Sequence, residues 1–238
     1  MTPPLRAVPK LTRPGTRAAM IAVATSQVGF REGPNNDTPY GRWYGLPNAA
    51  WCAEFVSWAA RFSGCSKAIP KHAFTPSGAK WFKKRGQWGK TPKVGALAYY
   101  YNASLGRIAH VELVVKVNDD GSWIACGGNT NNTGSRTGNG VYLLRRRTTR
   151  GGGFGYPRYA RALPIVSASA VAKMARDDGT YSGAVADALH HEGLSPDRDG
   201  YERWQKRCGY TGLDADGIAG IGSLTTLAKR TKLFTAVK

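Results

Sequence analysis

Acidic residues are scarce in this chain: 15 Asp and Glu stand against 34 Lys and Arg, leaving a formal net charge of +19 over 238 residues. Such a balance excludes a self-solvating acidic chain and favours polyanionic partners, with an attraction that salt screens. DNA, RNA, an acidic membrane surface and an acidic cell wall all meet that description, and charge alone does not choose among them. Long apolar runs are missing too. The most apolar stretch, 18–28, is interrupted by Thr25, Ser26 and Gln27 and falls short of the roughly 18 residues a spanning helix needs, so no membrane insertion is expected. No small-residue cleavage site follows it, and it reads as an amphipathic helix rather than a secretory signal. Cysteine is sparse: Cys52, Cys65, Cys126 and Cys208 match neither zinc spacing nor a disulfide framework, so free thiols from a reducing compartment are expected. Of four histidines, His72, His190 and His191 lack a thiol or carboxylate cluster at metal spacing and read as surface or helix residues.

The charge is unevenly placed. Residues 1–163 carry 24 basic and 6 acidic side chains, a net +18, whereas 164–238 carry 10 and 9, a net +1. The first part therefore holds the field; a basic surface kept only for solubility is the plainer alternative. Four prolines in 1–15 indicate an extended, mobile, basic arm. Helical spacing follows over 17–29, closed by Gly29. Pro, Asn and Gly over 31–41 argue against regular structure there. Helical spacing returns over 51–63 and over 76–84. From Gly95 onward the pattern becomes short strands, at 96–101, 110–117, 122–126, 141–144 and 156–160, separated by Gly, Asn and Asp turns. Helices first and sheet second predict an α+β domain over 16–163. An Ala-, Ser- and Asp-rich stretch, 164–180, reads as a linker, and 181–238 as three short helices around a turn at 214–220. Asp214-Ala-Asp-Gly superficially suggests a calcium loop, but Ile and Ala follow where oxygen donors are needed, so a turn tied by Asp side chains is expected.

Two residues carry the chemistry. Cys52 stands at the first turn of a predicted helix, where unpaired N–H groups and the helix dipole favour a thiolate. A buried cysteine acting as a small hydrophobe is the commoner fate. His110 opens a predicted strand, and a helix-start cysteine packed on a sheet that presents a histidine is the papain-type arrangement.

Gln27-Val-Gly, Glu32-Gly-Pro-Asn-Asn, Tyr40-Gly-Arg-Trp-Tyr-Gly and Trp51-Cys-Ala-Glu-Phe-Val-Ser-Trp58, followed by Ala109-His-Val-Glu-Leu-Val and Gly127-Gly-Asn-Thr130, resemble the CHAP family of amidases and endopeptidases. The resemblance covers about residues 16–160. It implies a compact papain-like fold, with helices packed on an antiparallel sheet, and hydrolysis of amide bonds in peptidoglycan. It further implies Cys52 as nucleophile, His110 as general base and Asn129 as an orienting or oxyanion-supporting residue, with Tyr40, Trp43 and Trp51 meeting substrate. Two departures stand out. Family members commonly place Glu just before the Gly-Asn-Thr turn, where this chain has Gly127. The position two after the histidine is commonly small, yet here it is Glu112. Residues i and i+2 on a strand share a face, so Glu112 is a challenger to Asn129; a partly exposed Glu paired with a basic side chain is the alternative. Only Asp37 lies where some members carry a calcium loop, so no metal and no other cofactor are expected.

The turn at 214–220, with Tyr201-Glu-Arg-Trp-Gln-Lys before it and Gly222-Ser-Leu-Thr-Thr-Leu after it, resembles the small three-helix peptidoglycan-binding domain. That implies wall contacts from Tyr201, Trp204 and Tyr210; a helical appendage that only stabilises the enzyme is the alternative. Together these readings predict a phage endolysin: a monomer made in the infected host's cytoplasm without a signal peptide, acting after release on peptidoglycan and anionic wall polymers, with no specific nucleic acid partner. The competing class is a non-catalytic basic binder of wall polymer or nucleic acid, but no helix-turn-helix, RNA-binding or zinc-finger signature accompanies the charge.

Overall fold

A computed structural model describes residues 4–133, 138–161 and 163–238. These divide into two compact units, joined between Arg161 and Ala162, each with its own buried core.

In the first unit four helices precede the sheet: α1 (Arg17–Ser26), α2 (Pro39–Tyr44), α3 (Cys52–Phe62) and α4 (Thr75–Lys83). Thr16 caps α1 by accepting from the Ala19 amide, and Thr38 caps α2 with Pro39 at its first position, where the missing N–H is harmless. Six strands follow: β1 (Trp88–Gly89), β2 (Leu97–Asn102), β3 (Arg107–Val117), β4 (Trp123–Thr130), β5 (Gly140–Arg146) and β6 (Gly153–Gly155). They form one antiparallel sheet in the order β1-β6-β2-β3-β4-β5. One face, through Leu97, Tyr99, Val111, Leu113 and Cys126, packs into the core with α1 and α3. The other carries a smaller cluster around Tyr100, Trp123, Ala125 and Phe154. The expected α+β class is therefore what the chain adopts.

Several expectations need correction. Residues 4–15 have no regular structure, yet they are tied down: Arg6 donates to the Val28 carbonyl at 2.7 Å, Gln27 donates to the Arg6 carbonyl at 3.0 Å, and the Gly15 amide donates to Ser63 at 2.7 Å. The expected mobile arm is held along the domain. The expected strand at 156–160 is absent, because Pro157 removes a ladder donor. Its place is taken by β6, built on glycines that strand propensity disfavours. A Cβ at Gly155 would collide with the Phe82 ring and one at Gly153 would stand 2.8 Å from Trp88, so only glycine lets this strand pass between those rings and β2.

The second unit contains β7 (Ile165–Ser167), α5 (Ala168–Asp177), α6 (Gly183–His191), α7 (Arg198–Arg207), α8 (Ile221–Thr231) and β8 (Thr235–Val237). Residues 164–180 are thus no linker. β7 pairs in parallel with β8, and α5 buries Ala168, Val171 and Ala175 in the same core as Leu189, Trp204 and Leu224. Alanine at this spacing forms a narrow apolar stripe that composition alone mistakes for a spacer. The turn at 214–220 is tied by one aspartate, since Asp216 accepts from the Ile218 amide at 2.8 Å.

Candidate active site

Cys52 is the first residue of α3, and no side chain caps the start of that helix. The amides of its first turn have no helical partner, and the positive end of the dipole faces the sulfur. The residue is 4% exposed. On β3 the pairing with β2 slips by one residue, leaving Ala109 unpaired between Ile108 and His110. Bulges of this kind bend a strand and redirect the side chains beside it. The Cys52 thiol lies within reach of the His110 imidazole and favours its charged form. His110 Nε2 lies 3.2 Å from Glu112 Oε1, which leaves Nδ1 for the sulfur.

Glu112 is fully buried and both of its carboxyl oxygens are hydrogen-bonded. Tyr100 donates its hydroxyl to Oε2 at 2.7 Å, while Arg146 donates from Nε to Oε2 at 2.9 Å and from Nη2 to Oε1 at 2.6 Å. A paired guanidinium presented edge-on to a carboxylate is the strongest form of this contact. Burial works against the carboxylate charge, but hydrogen bonds and charges from His110 and Arg146 overcome it and pull Glu112 down to about 2. Burial likewise opposes charge on the imidazole, and the hydrogen bonds and charges of Cys52 and Glu112 push His110 up to about 10. At neutral pH the row is therefore imidazolium, carboxylate, guanidinium. Each charge in that row has an opposite neighbour.

Of the two candidates for the third member, only Glu112 is hydrogen-bonded to His110. Glu112, the challenger, holds His110; Asn129 is bound elsewhere. In the orientation that satisfies both ends of its amide, Asn129 accepts from the Trp51 N–H and donates to the Gly138 carbonyl, each at 3.2 Å. It anchors the residue preceding the nucleophile. The alternative reading of Glu112, as a partner of a basic side chain, is also met, but in the interior and not at the surface.

Tyr40 and Trp51 are 0% exposed and cannot meet substrate. They stack with ring centroids 5.4 Å apart, flanked by Phe30, Phe55 and Trp58. Their polar atoms are consumed internally: Tyr40 donates to Gln27 at 3.1 Å, and the Trp51 indole donates to Glu32 at 2.6 Å. Trp43 is half-buried, with the Lys71 ammonium 5.1 Å from its ring centroid. Tyr201 and Trp204 are likewise interior, at 0% and 2% exposure, whereas Tyr210 is half-buried. Aromatic residues make good binding surfaces, but they make equally good core. His72, expected at the surface or on a helix, is buried outside any helix, with Nδ1 2.9 Å from the Pro70 carbonyl and Nε2 3.3 Å from the Tyr99 hydroxyl. Burial lowers its pKa.

Three participants escaped the sequence reading. Arg146 and Tyr100 hold Glu112; the run of three arginines at 145–147 was absorbed into bulk charge. The available signal was that a carboxylate on a buried strand needs a cation on a neighbouring one. Glu54, in the first turn of α3, is fully buried with neither carboxyl oxygen hydrogen-bonded, and burial pushes it up to about 7. All four cysteines are unpaired, and among the described residues no three His, Cys, Asp or Glu side chains cluster as a metal site.

Residues 43–129 match the CHAP domain model. The match runs from α2 to the end of β4 and includes Cys52, His110, Glu112 and Asn129. CHAP domains are typically peptidoglycan hydrolases, and the match suggests a cysteine- and histidine-dependent amidohydrolase. No curated protein and no solved structure matches the chain.

Proposed function

We propose that the first unit hydrolyses an amide bond of bacterial peptidoglycan, as a muramoyl–alanine amidase or a cross-bridge endopeptidase. The observation that carries this reading is a helix-start thiol beside an imidazole that is held by a buried, ionised Glu112. The Cys52 sulfur, its proton passed to His110, attacks the scissile carbonyl carbon, and a C–S bond forms. The oxyanion that develops is received by open amides of the first α3 turn. His110 gives its proton to the departing amine as the C–N bond breaks. Water then enters, His110 takes its proton, and the hydroxide displaces the thiolate, releasing the acid. Glu112 fixes the ring and balances its charge throughout.

The second unit we assign to wall contact, with Tyr210 as the one aromatic of the expected three that reaches the surface. A phage endolysin, made in the infected cell and reaching the wall after release, fits a strongly basic wall hydrolase. The competing reading, a non-catalytic basic binder, rests on the charge alone. Clearing of purified walls separates the two. Cys52→Ala and Cys52→Ser should each lower the rate by roughly a thousandfold or more while folding is retained, and iodoacetamide should abolish wild-type activity. Substantial clearing by a folded Cys52→Ala chain would remove the thiol mechanism. Mass spectrometry of the new termini would identify the bond.

A further inference from the structure

A cleft of about 490 Å3 opens on the first unit, lined by Lys80, Lys83, Lys90 and Arg107 together with Trp88 and Tyr101. None of the catalytic residues lines it, although Ile108, two residues before His110 on β3, forms part of its wall. All four cationic side chains are exposed. No carboxylate lines the cleft, and among the described residues none of the four makes an ion pair. A few cations elsewhere on this unit find acids, as where Arg145 and Arg147 share Asp120 and Arg146 holds Glu112. In the cleft three of the four are restrained without being neutralised. Lys90 donates to the Gly152 carbonyl at 2.6 Å and the Gly151 carbonyl at 3.3 Å. The Lys83 ammonium lies 4.9 Å from the centre of the Trp88 ring. Arg107 donates to the Ile108 carbonyl at 3.1 Å and lies 5.3 Å from the Phe74 ring centroid.

We infer that this cleft is a subsite for the phosphate groups of a polyol- or sugar-phosphate polymer of the wall. Four like charges around one hollow repel each other, and a bound anion relieves that repulsion. One peptide carboxylate would leave most of the four unanswered, whereas a phosphodiester chain presents a charge at every link. Trp88 and Tyr101 add flat apolar faces for the carbon skeleton between phosphates. The inference rests on the wall-hydrolase reading for its choice of polymer, and it would place the enzyme on the glycopolymer that surrounds its peptide substrate.

The test uses the full chain, Lys83→Glu and, as a control with the same change in net charge, Lys84→Glu, which lies next in sequence but outside the cleft lining. A short glycerol-phosphate oligomer is titrated and followed by tryptophan fluorescence, a measurement that needs no catalysis. Lys83→Glu should weaken binding by about five- to tenfold and Lys84→Glu by less than about twofold. Clearing rates should fall for Lys83→Glu on walls that carry phosphate polymers. On walls stripped of phosphodiester polymer with hydrofluoric acid, all three chains should clear equally. Equal weakening by the two substitutions would overturn the subsite in favour of the general field, and so would a Lys83→Glu deficit that persists on stripped walls. Tighter binding of an oligonucleotide than of the glycerol-phosphate oligomer, lost in Lys83→Glu, would overturn it in favour of a nucleic acid. Absence of clearing by the wild type on any wall would defeat the hydrolase reading, and the titration would still judge the cleft.

Discussion

Glu112 is where the residue scale decides most. A carboxylate with no exposure is tolerated because Arg146, Tyr100 and His110 together satisfy it, and its charge keeps a proton on the imidazole. Glu112→Gln should therefore lower turnover by roughly a hundredfold or more. Asn129→Ala should cost about tenfold or less, because it loses two backbone contacts worth roughly 1 kcal/mol each. Measured kcat values in the opposite order would return the orienting role to Asn129. The pH profile gives a second readout. The folded-state pKa of His110 is raised, so the stabilisation from its pairing is complete below about 6.5 and lost as pH climbs through about 10. Removing the Glu112 charge should move the alkaline limb of activity to lower pH. Glu54 behaves in the contrary sense. Its folded-state pKa is raised above 4.5 to about 7 by burial, so ionisation destabilises the fold, with no penalty below about 4.5 and the full penalty above about 7. The charge of Glu54 is felt by the nearby Tyr44 hydroxyl. Glu54→Gln should melt close to the wild type at pH 4.5 and at least about 2–4 °C higher at pH 8; equal melting temperatures at pH 8 would mean the carboxyl is compensated.

At the scale of elements, β3 and β4 explain how the acid comes to stand where it does. Leu113 pairs with Cys126, so Glu112 and Gly127 are direct neighbours across the two strands. A Cβ on Gly127 would stand 2.6 Å from Glu112 Cγ and 2.9 Å from Oε1. With no side chain there and only a methyl at Ala125, Arg146 reaches from β5 across β4 to the carboxylate. Gly127→Ala should then displace Glu112 and lower kcat by at least about tenfold while circular dichroism still reports a folded chain. Undiminished activity in that variant would show that the exact placement of the carboxylate is unimportant. The departure at Gly127 and the departure at Glu112 were both legible in the sequence, but their pairing was not, because register between strands is a tertiary property. Cys52 and His110 were legible for the opposite reason. Cys52 opens α3, a position that local pattern marks well, and His110, the fourth residue of β3, is marked by the motif around it. Trp51 and Tyr40 were legible as motif and misread as surface, since composition does not tell an aromatic floor from an aromatic core. The glycine strand β6 and the alanine helix α5 were hidden because each uses residues whose usual meaning is a turn or a spacer.

For the whole molecule, the decisive quantity is the separation of charge from attachment. Residues 1–163 carry a net +18 and the rest +1, and the two units have separate cores. Attraction of the first unit to an anionic wall acts through charges in water and weakens as the Debye length falls from about 10 Å at 0.1 M salt to about 3 Å at 1 M. Contacts made by a nearly neutral unit depend on shape and hydrogen bonds and are far less sensitive. If the second unit holds the chain to the wall, it keeps the first at a high local concentration after the long-range field has been screened. A chain ending at Arg161 should therefore clear walls at low salt and lose activity steeply as sodium chloride is added. The full chain should decline more gently over the same range. The cut belongs at 161 and not inside 164–180, because β7 and α5 are part of the second core, and removing them would confuse loss of binding with loss of fold. Clearing rate against ionic strength for the two chains on one wall preparation is the measurement. Curves that fall in parallel would mean that residues 162–238 add no salt-resistant attachment, and their role would then be to stabilise the enzyme.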